Sequence, residues 1–440
     1  MTKFRNNLYK FKKTFFAFIF FVGFAPTTIF AADLENSEAS SIREPASSLE
    51  TKKTIANDQI QKETEETPTR LLNGQWRTSL SDSGFDFEAF YFFNGISNQS
   101  GGAKKGGVGI STLDTFLHFN FEKLLGWSGG SFLLQYHANG GEFINQYTGD
   151  LMGVNSYALS TNESLVSQAY LKQAWNEGSS DLLFGLYDYS SEFFVTESSL
   201  IFMNNGFLLG AETYPPAPAA LSVYPINAPA MRLRLAKENL GYILAGTGSS
   251  TARDPRFTNG THPRMGKDEG YFSILEAGLQ SEFSKGVYHK LALGVWSLTN
   301  DFTKIDGSGA KAKDKGFYLL ADYHIKDNLS GFARYGAANK DVASIDHTMS
   351  VGLNFAGVFA EKDQLGLGYA QTVLNSKSRQ LRIDAGENLE TSESAIELVY
   401  RIEPIAGFTV MPDLQKITNP SMSKDIKEAT VASLRMELSF

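Results

Sequence analysis

The chain has 440 residues, enough for one large domain or two ordinary ones, with a formal charge of −8 and no cysteine. The acidic balance argues against nucleic-acid binding, and the missing cysteine excludes disulfides, thiolate metal sites and cysteine nucleophiles. Forty Gly, 34 Phe and 18 Tyr stand beside a mean hydropathy of only −0.21, with no long apolar stretch beyond the N-terminus, so membrane-spanning helices are not expected.

Residues 1–32 read as a secretory signal. Lys3, Arg5, Lys10, Lys12 and Lys13 form a basic start, Phe15 to Ala25 is an apolar run of 11 residues, and the small residues Ala31 and Ala32 mark the cleavage region. The run is too short to cross a bilayer core, which needs about 20 apolar residues. Cleavage removes five positive charges and takes the net charge from −8 to −13. Residues 33–74 follow as a separate acidic zone carrying Glu35, Glu38, Glu44, Glu50, Lys52, Lys53, Glu63, Glu65 and Glu66. It holds too little apolar surface to offset the entropy of ordering, so a flexible periplasmic extension is expected.

From residue 75 to 440 the expected domain is an all-β transmembrane antiparallel barrel of about sixteen strands. Its signal is alternation with period two. Leu113, Thr115, Leu117, Phe119 and Phe121 alternate with Asp114, Phe116, His118, Asn120 and Glu122. Met349, Val351, Leu353 and Phe355 alternate with Ser350, Gly352 and Asn354, and Leu434, Met436, Leu438 and Phe440 with Ser433, Arg435, Glu437 and Ser439. One row of such a strand faces lipid and the other a wet lumen. Such segments occupy 85–93, 111–122, 131–139, 166–175, 182–188, 230–236, 241–247 and 271–280 in the first half. They continue at 289–297, 316–324, 329–336, 348–355, 365–371, 394–402, 408–416 and 429–440. Every second connection is short, as at Asn176–Asp181, Lys237–Leu240 and Glu403–Gly407. The others are mostly long, as at Asn94–Ile110, Gly140–Leu165, Asp188–Pro229 and Thr372–Glu393. Short periplasmic turns and long extracellular loops are the habit of outer-membrane barrels, and both termini then face the periplasm. Trp127, Trp175, Tyr323, Tyr335 and Tyr400 sit at or near segment ends, where an interfacial girdle belongs.

The loop Asp188–Pro229 is the longest and carries Pro215, Pro216, Pro218, Pro225 and Pro229. A long proline-rich loop in a compact barrel is usually functional, and this one is expected to fold into the lumen and narrow it. Alternation sends Met231, Leu233 and Leu235 to lipid and Arg232 and Arg234 inward, since an arginine facing lipid at mid-depth would cost about 2–4 kcal/mol. The same test turns Arg334, Arg401, Glu397, Asp413 and Gln415 inward. Guanidinium groups offer several planar donors suited to hydroxyls, and the acids and amide supply acceptors. These seven residues are the expected pore-lining, solute-contacting set, although lumen charges also pair with one another to brace a wall. No nucleophile elbow, His-Glu-x-x-His or phosphate loop is present, and the six histidines lack metal spacing. Neither catalysis nor a cofactor or metal is expected, and a barrel lipase or protease is the weaker alternative.

Several stretches resemble the carbohydrate-selective porins of the OprB type. These are Phe121-Glu122-Lys123-Leu124 with Gly126-Trp127, Gly185-Leu186-Tyr187-Asp188, Phe202-Met203-Asn204-Asn205, Tyr224-Pro225 and Glu397-Leu398-Val399-Tyr400-Arg401. Met411-Pro412-Asp413-Leu414-Gln415-Lys416-Ile417, Asn419-Pro420 and the terminal Phe440 belong to the same resemblance. It covers about residues 75–440 and implies a sixteen-stranded barrel that lets sugars diffuse passively across the outer membrane of a Gram-negative-type bacterium. Surrounding lipid, small sugars and the barrel-assembly machinery at the C-terminal strand are the expected interactions, and the oligomeric state is open between a monomer and a homotrimer. A general channel without sugar preference is the nearest alternative.

Overall fold

The computed structural model describes residues 70–440 apart from 158–161, 218, 238–239, 255, 267–268, 284–286 and 327. The signal peptide and residues 33–69 of the acidic zone lie outside the described residues. Sixteen antiparallel strands close into a barrel in which β1 (Phe85–Gly102) meets β18 (Lys427–Ser439). The first half continues with β2 (Gly106–Asn120), β3 (Gly130–Gly140), β4 (Ser164–Trp175), β5 (Ser180–Tyr187), β6 (Ala228–Lys237), β7 (Gly241–Ser249), β8 (Tyr271–Phe283) and β9 (Val287–Leu298). A small hairpin of β10 (Phe302–Thr303) and β11 (Lys311–Ala312) decorates the next loop. The wall then resumes with β12 (Lys315–Lys326), β13 (Leu329–Ala338), β14 (Ile345–Ala356), β15 (Gln364–Leu374), β16 (Ser392–Ile405) and β17 (Phe408–Thr418).

Each alternating segment coincides with one wall strand, and the two faces separate as alternation requires. Met231 and Leu235 are 47% and 42% exposed on the outside, whereas Arg232 between them is 1% exposed. Three local expectations change. The loop Asn94–Ile110 is mostly wall: β1 and β2 stay paired up to Asn98 and Gly106, leaving only a tight turn at 103–105. Gly95, Ser97 and Gly107 hide this from a search for apolar alternation, because above the lipid belt the outer face meets water.

The second change concerns the segment 111–122, which ends at Asn120. The Asn120 side chain accepts from the Lys123 amide and starts a short helix, Phe121–Leu125, closed by Gly126 in the left-handed region at φ 74°. The third concerns residues 70–74, which lie against the barrel rather than apart from it. β1 runs past the end of β18, whose last pairing is Ser439 with Phe90, so the Phe87 carbonyl has no strand partner on that side. Arg77, on the helix Gln75–Asp82, donates to that carbonyl at 2.8 Å, Leu71 N donates to Ser439 O at 2.8 Å, and Arg70 pairs with Glu88. The segment before β1 thus caps the periplasmic end of the closing seam.

Candidate functional site

The loop from Asp188 to Asn227 leaves β5, crosses the barrel interior and returns to β6, as its length and prolines predicted. Its anchors are wall acids that accept from loop backbone amides. Glu276 on β8 accepts from Phe194 N at 3.2 Å, and Asp322 on β12 from Ser198 N at 2.9 Å. Glu397 on β16 accepts from Met203 N and Asn204 N at 2.6 and 2.9 Å and is 0% exposed. Backbone N–H groups of an irregular loop must be satisfied once they leave water, and a carboxylate can take two at once. The loop returns the favour with Glu212, which accepts from Thr348 on β14 and lies 3.5 Å from Arg334 on β13.

A shorter loop between β3 and β4 also turns inward. Glu393 accepts from Leu151 N and Met152 N at 2.7 and 2.8 Å, and Gln415 Nε2 donates to Val154 O at 2.9 Å. The two loops join at Ser156 N to Met203 O, 2.9 Å. Burial pushes the Asp150 carboxyl in this loop above the ordinary carboxylate range, against hydrogen bonds from Thr148 and Gly153 N.

Apolar packing completes the seating. Phe202 and Phe207 stack with centroids 4.5 Å apart and lie over β14 and β15, where the inward positions are Gly352, Gly366 and Gly368. A Cβ on Gly368 would come within 2.6 Å of the Phe207 ring, so these glycines are the bed on which the phenyl groups lie.

The two ends of the long loop are tied by a closed ring of hydrogen bonds across β2, β3 and β4. Asp188 N donates to Gln168 at 3.3 Å, Gln168 to Gln135 at 2.7 Å, and Gln135 to Asp114 at 2.9 Å. Tyr224 Oη donates to the other Asp114 oxygen at 2.8 Å, and Tyr224 N returns to the Asp188 carboxylate at 3.1 Å. His137 Nδ1 lies 3.0 Å from both Asp114 and Tyr224 Oη.

Four of the seven residues expected to line the pore meet the inserted loops, and a fifth, Asp413, is bonded to one of the four. Arg232 pairs with Asp181 on β5 and with Glu192 of the loop, its Nη2 2.8 Å from the Glu192 carboxylate. Arg334 donates to the Leu208 carbonyl. Glu397 holds Met203 and Asn204 as described. Gln415 accepts from Asn204 Nδ2 at 3.0 Å and donates to Asp413 at 2.9 Å. Arg234 and Arg401 lie nearer the periplasmic end. Arg401 donates to Thr409 Oγ1 at 3.1 Å, while Arg234 is partly buried with no ion-pair partner among the described residues. Sequence reasoning passed over Asp114, Glu276, Asp322 and Glu393. Each is an inward acid in a strand, so the alternation that chose Glu397 could have found them all.

The motif Met411-Pro412-Asp413-Leu414-Gln415 now has a physical reading. Pro412 lacks an N–H and sits where the β16–β17 ladder is interrupted between Val399–Asp413 and Ile402–Val410. Of the next two inward positions, Gln415 meets Asn204 and Val154 of the inserted loops, and Asp413 accepts from Gln415 Nε2.

The family model of the carbohydrate-selective porins, OprB family, matches residues 111–440. The chain belongs to this family. Porin B of Pseudomonas aeruginosa is 24% identical over 424 residues, covering 84% of this chain and 92% of that protein. The high-pH structure of Pseudomonas putida OprB superposes with a TM-score of 0.75 at 21% identity, over 86% of this chain and all of the other. Salmonella typhi OmpF, solved with daunomycin, shares the fold more distantly, with a TM-score of 0.51 at 12% identity over 82% of this chain and 99% of that one. The OprB-type chain described here is therefore an outer-membrane porin of the carbohydrate-selective class.

Proposed function

We propose that this porin passes pentoses and hexoses down their gradient through an opening whose width is set by the loop Asp188–Asn227. The observation that supports this reading most is the seating of that loop on Glu276, Asp322, Glu397 and Arg334, which line up around the inner wall. A loop so held presents a fixed opening, and selectivity by size and hydroxyl pattern needs one. In this reading Arg232, Arg334, Glu397 and Gln415 act on the solute through the loop they hold, and Asp413 acts by orienting Gln415. Arg234 and Arg401 act on it directly, as planar donors to sugar hydroxyls on the periplasmic side. Homotrimer formation and recognition of the last strand by the assembly machinery belong to the same reading. The latter is supported by Phe440, whose backbone closes the seam with Ala89 at 2.8 Å.

Liposome swelling with a sugar series tests the solute class. Pentoses and hexoses should enter faster than amino acids of equal mass, and equal rates would leave a general porin. In planar bilayers R234A/R401A should insert normally and show altered sugar block of the current. Unchanged block would remove these two residues from the solute path.

A further inference from the structure

The outer face of the wall carries a cationic stripe above its lipid belt. β11 and β12 form one nearly continuous extended run from 311 to 326, and the side that faces inward is fixed by packing. Ala312 lies against an interior apolar cluster, and Asp314, Tyr318 and Leu320 are buried. Lys311, Lys313 and Lys315 therefore face outward, in line with the lipid-facing Phe317 and Leu319, which are 40% and 45% exposed. Neighbouring strands agree. Lys315 stands opposite Ser297, Lys313 Nζ donates to Thr299 O at 3.1 Å, and Lys311 Nζ donates to Thr303 Oγ1 at 2.6 Å.

Successive lysines on one face of an extended chain stand about 7 Å apart. None of the three has a carboxylate partner among the described residues, although this is an acidic protein with a formal charge of −8. Of the acids nearby, Asp301 is exposed at the foot of the β10–β11 hairpin and forms no ion pair with the three lysines, and the rest are engaged elsewhere. Asp314 is turned inward, Asp306 accepts from Ser308 N and Oγ, Asp341 is held between Lys304 and Lys377, and Asp346 pairs with Lys340. Directly below the stripe lies an aromatic band. Phe317 and Tyr335 are 6.1 Å apart, and Tyr335 stacks with His347 at 5.5 Å. Such bands mark the level of lipid headgroups. Three unpaired ammonium groups thus stand on the outer wall at headgroup height, on the side of the long loops.

We propose that Lys311, Lys313 and Lys315 bind the phosphate groups of a phosphorylated outer-leaflet lipid. The ammonium groups meet the phosphates while Phe317, Leu319 and Tyr335 lie along the acyl chains. An unpaired lysine near an anionic membrane surface is worth about fivefold in affinity, so three together give roughly 100-fold.

The test uses the folded barrel in neutral detergent, titrated with a diphosphorylated glycolipid of the lipid A type and with the same lipid after phosphatase treatment. The wild type should bind the phosphorylated form and lose roughly 100-fold for the dephosphorylated one. K311Q/K313Q/K315Q should lose a similar factor, K311R/K313R/K315R should keep binding, and K104Q/K105Q, on the β1–β2 turn, should bind as wild type. The heat-modifiable band on gels checks that each variant is folded, and the arginine variant carries the test should the glutamine variant not fold. Equal binding of both lipids, wild-type binding by the glutamine variant, or loss of binding by a folded arginine variant would overturn the assignment. Binding of inorganic pyrophosphate as tight as that of the lipid would also overturn it, by making this a site for free phosphates.

Discussion

Two loops on the same side of the barrel have opposite fates. The loop Asp188–Asn227 enters the lumen, whereas in Asn375–Thr391, between β15 and β16, the helix Ser376–Asp384 stays outside and only Asn375 and Leu389 are buried. The inserted loop has four acids and no lysine or arginine; the outer one has three of each sign in less than half the length. Inside, Glu192 and Glu212 pair with cations that the wall supplies, Arg232 and Arg334, while Asp188 accepts from Ser190 and Tyr224 of the loop itself. Outside, the helix buries no residue, and its ion pairs stand in water. The charges a lumen-bound loop keeps are answered by the wall, as at Glu192 and Glu212, or by the loop itself, as at Asp188, because an unpaired charge there has no cheap alternative.

The sharpest way to break this contrast is to remove a wall cation. R232M leaves Asp181 and Glu192 facing each other without their guanidinium, and loss of one partner of a buried pair costs about 3–5 kcal/mol. Urea unfolding of the vesicle-inserted barrel should show that loss, and single-channel current should become larger and unsteady as the loop lifts. A stable, quiet R232M channel would mean that Glu192 does not seat the loop. E397A ranks next. It orphans two buried amides, Met203 N and Asn204 N, for about 2–4 kcal/mol. The expected readout is faster proteolysis within 188–227 together with higher conductance, while insertion into the membrane persists.

How much of this was legible in the sequence follows the same division. The wall could be read strand by strand, since alternation between lipid and water is imposed along each crossing by the bilayer itself. It failed where that constraint stops: at Gly95–Gly107, where paired strands rise above the lipid, and at Phe121–Leu125, where an Asn cap replaces the end of a strand. Inward direction was legible for Arg232, Arg334, Glu397, Asp413 and Gln415, but their partners were not. Met203 and Asn204 lie nearly two hundred residues from Glu397, and the bond is to their backbone, which bears no side-chain signature. The hydrogen-bond ring at the loop ends was hidden for the same reason. Asp114, Gln135, Gln168 and Tyr224 come from four separate segments that only barrel closure brings together.

That ring supplies a finer test. Y224F removes one hydrogen bond to Asp114 and leaves its bonds from Gln135 and His137, so the stability cost should be about 1 kcal/mol. The return limb of the loop, however, loses its tie to β2. We expect near-normal mean conductance with increased open-channel noise, restored to quiet when Tyr is put back. If noise is unchanged, Asp188 and Ser222, which ties Tyr187 O to Ala228 N, hold the limb without Tyr224.

The smallest effect is expected outside, where the contrast predicts near silence. Arg382 donates to Glu387 at 2.6 Å, but both side chains are well exposed, and exposed pairs contribute little. R382Q and E387Q should leave conductance and sugar block unchanged and lower the unfolding midpoint only slightly at neutral pH. The pair has one pH signature. The Arg382 hydrogen bond holds the Glu387 carboxyl below its ordinary value, so whatever it contributes is present above the unfolded carboxylate range and fades as pH falls through the lowered folded value. Wild type and E387Q should therefore converge in acid. A clear effect of either substitution on the current would place the outer helix in the solute path and erase the division between the two loops.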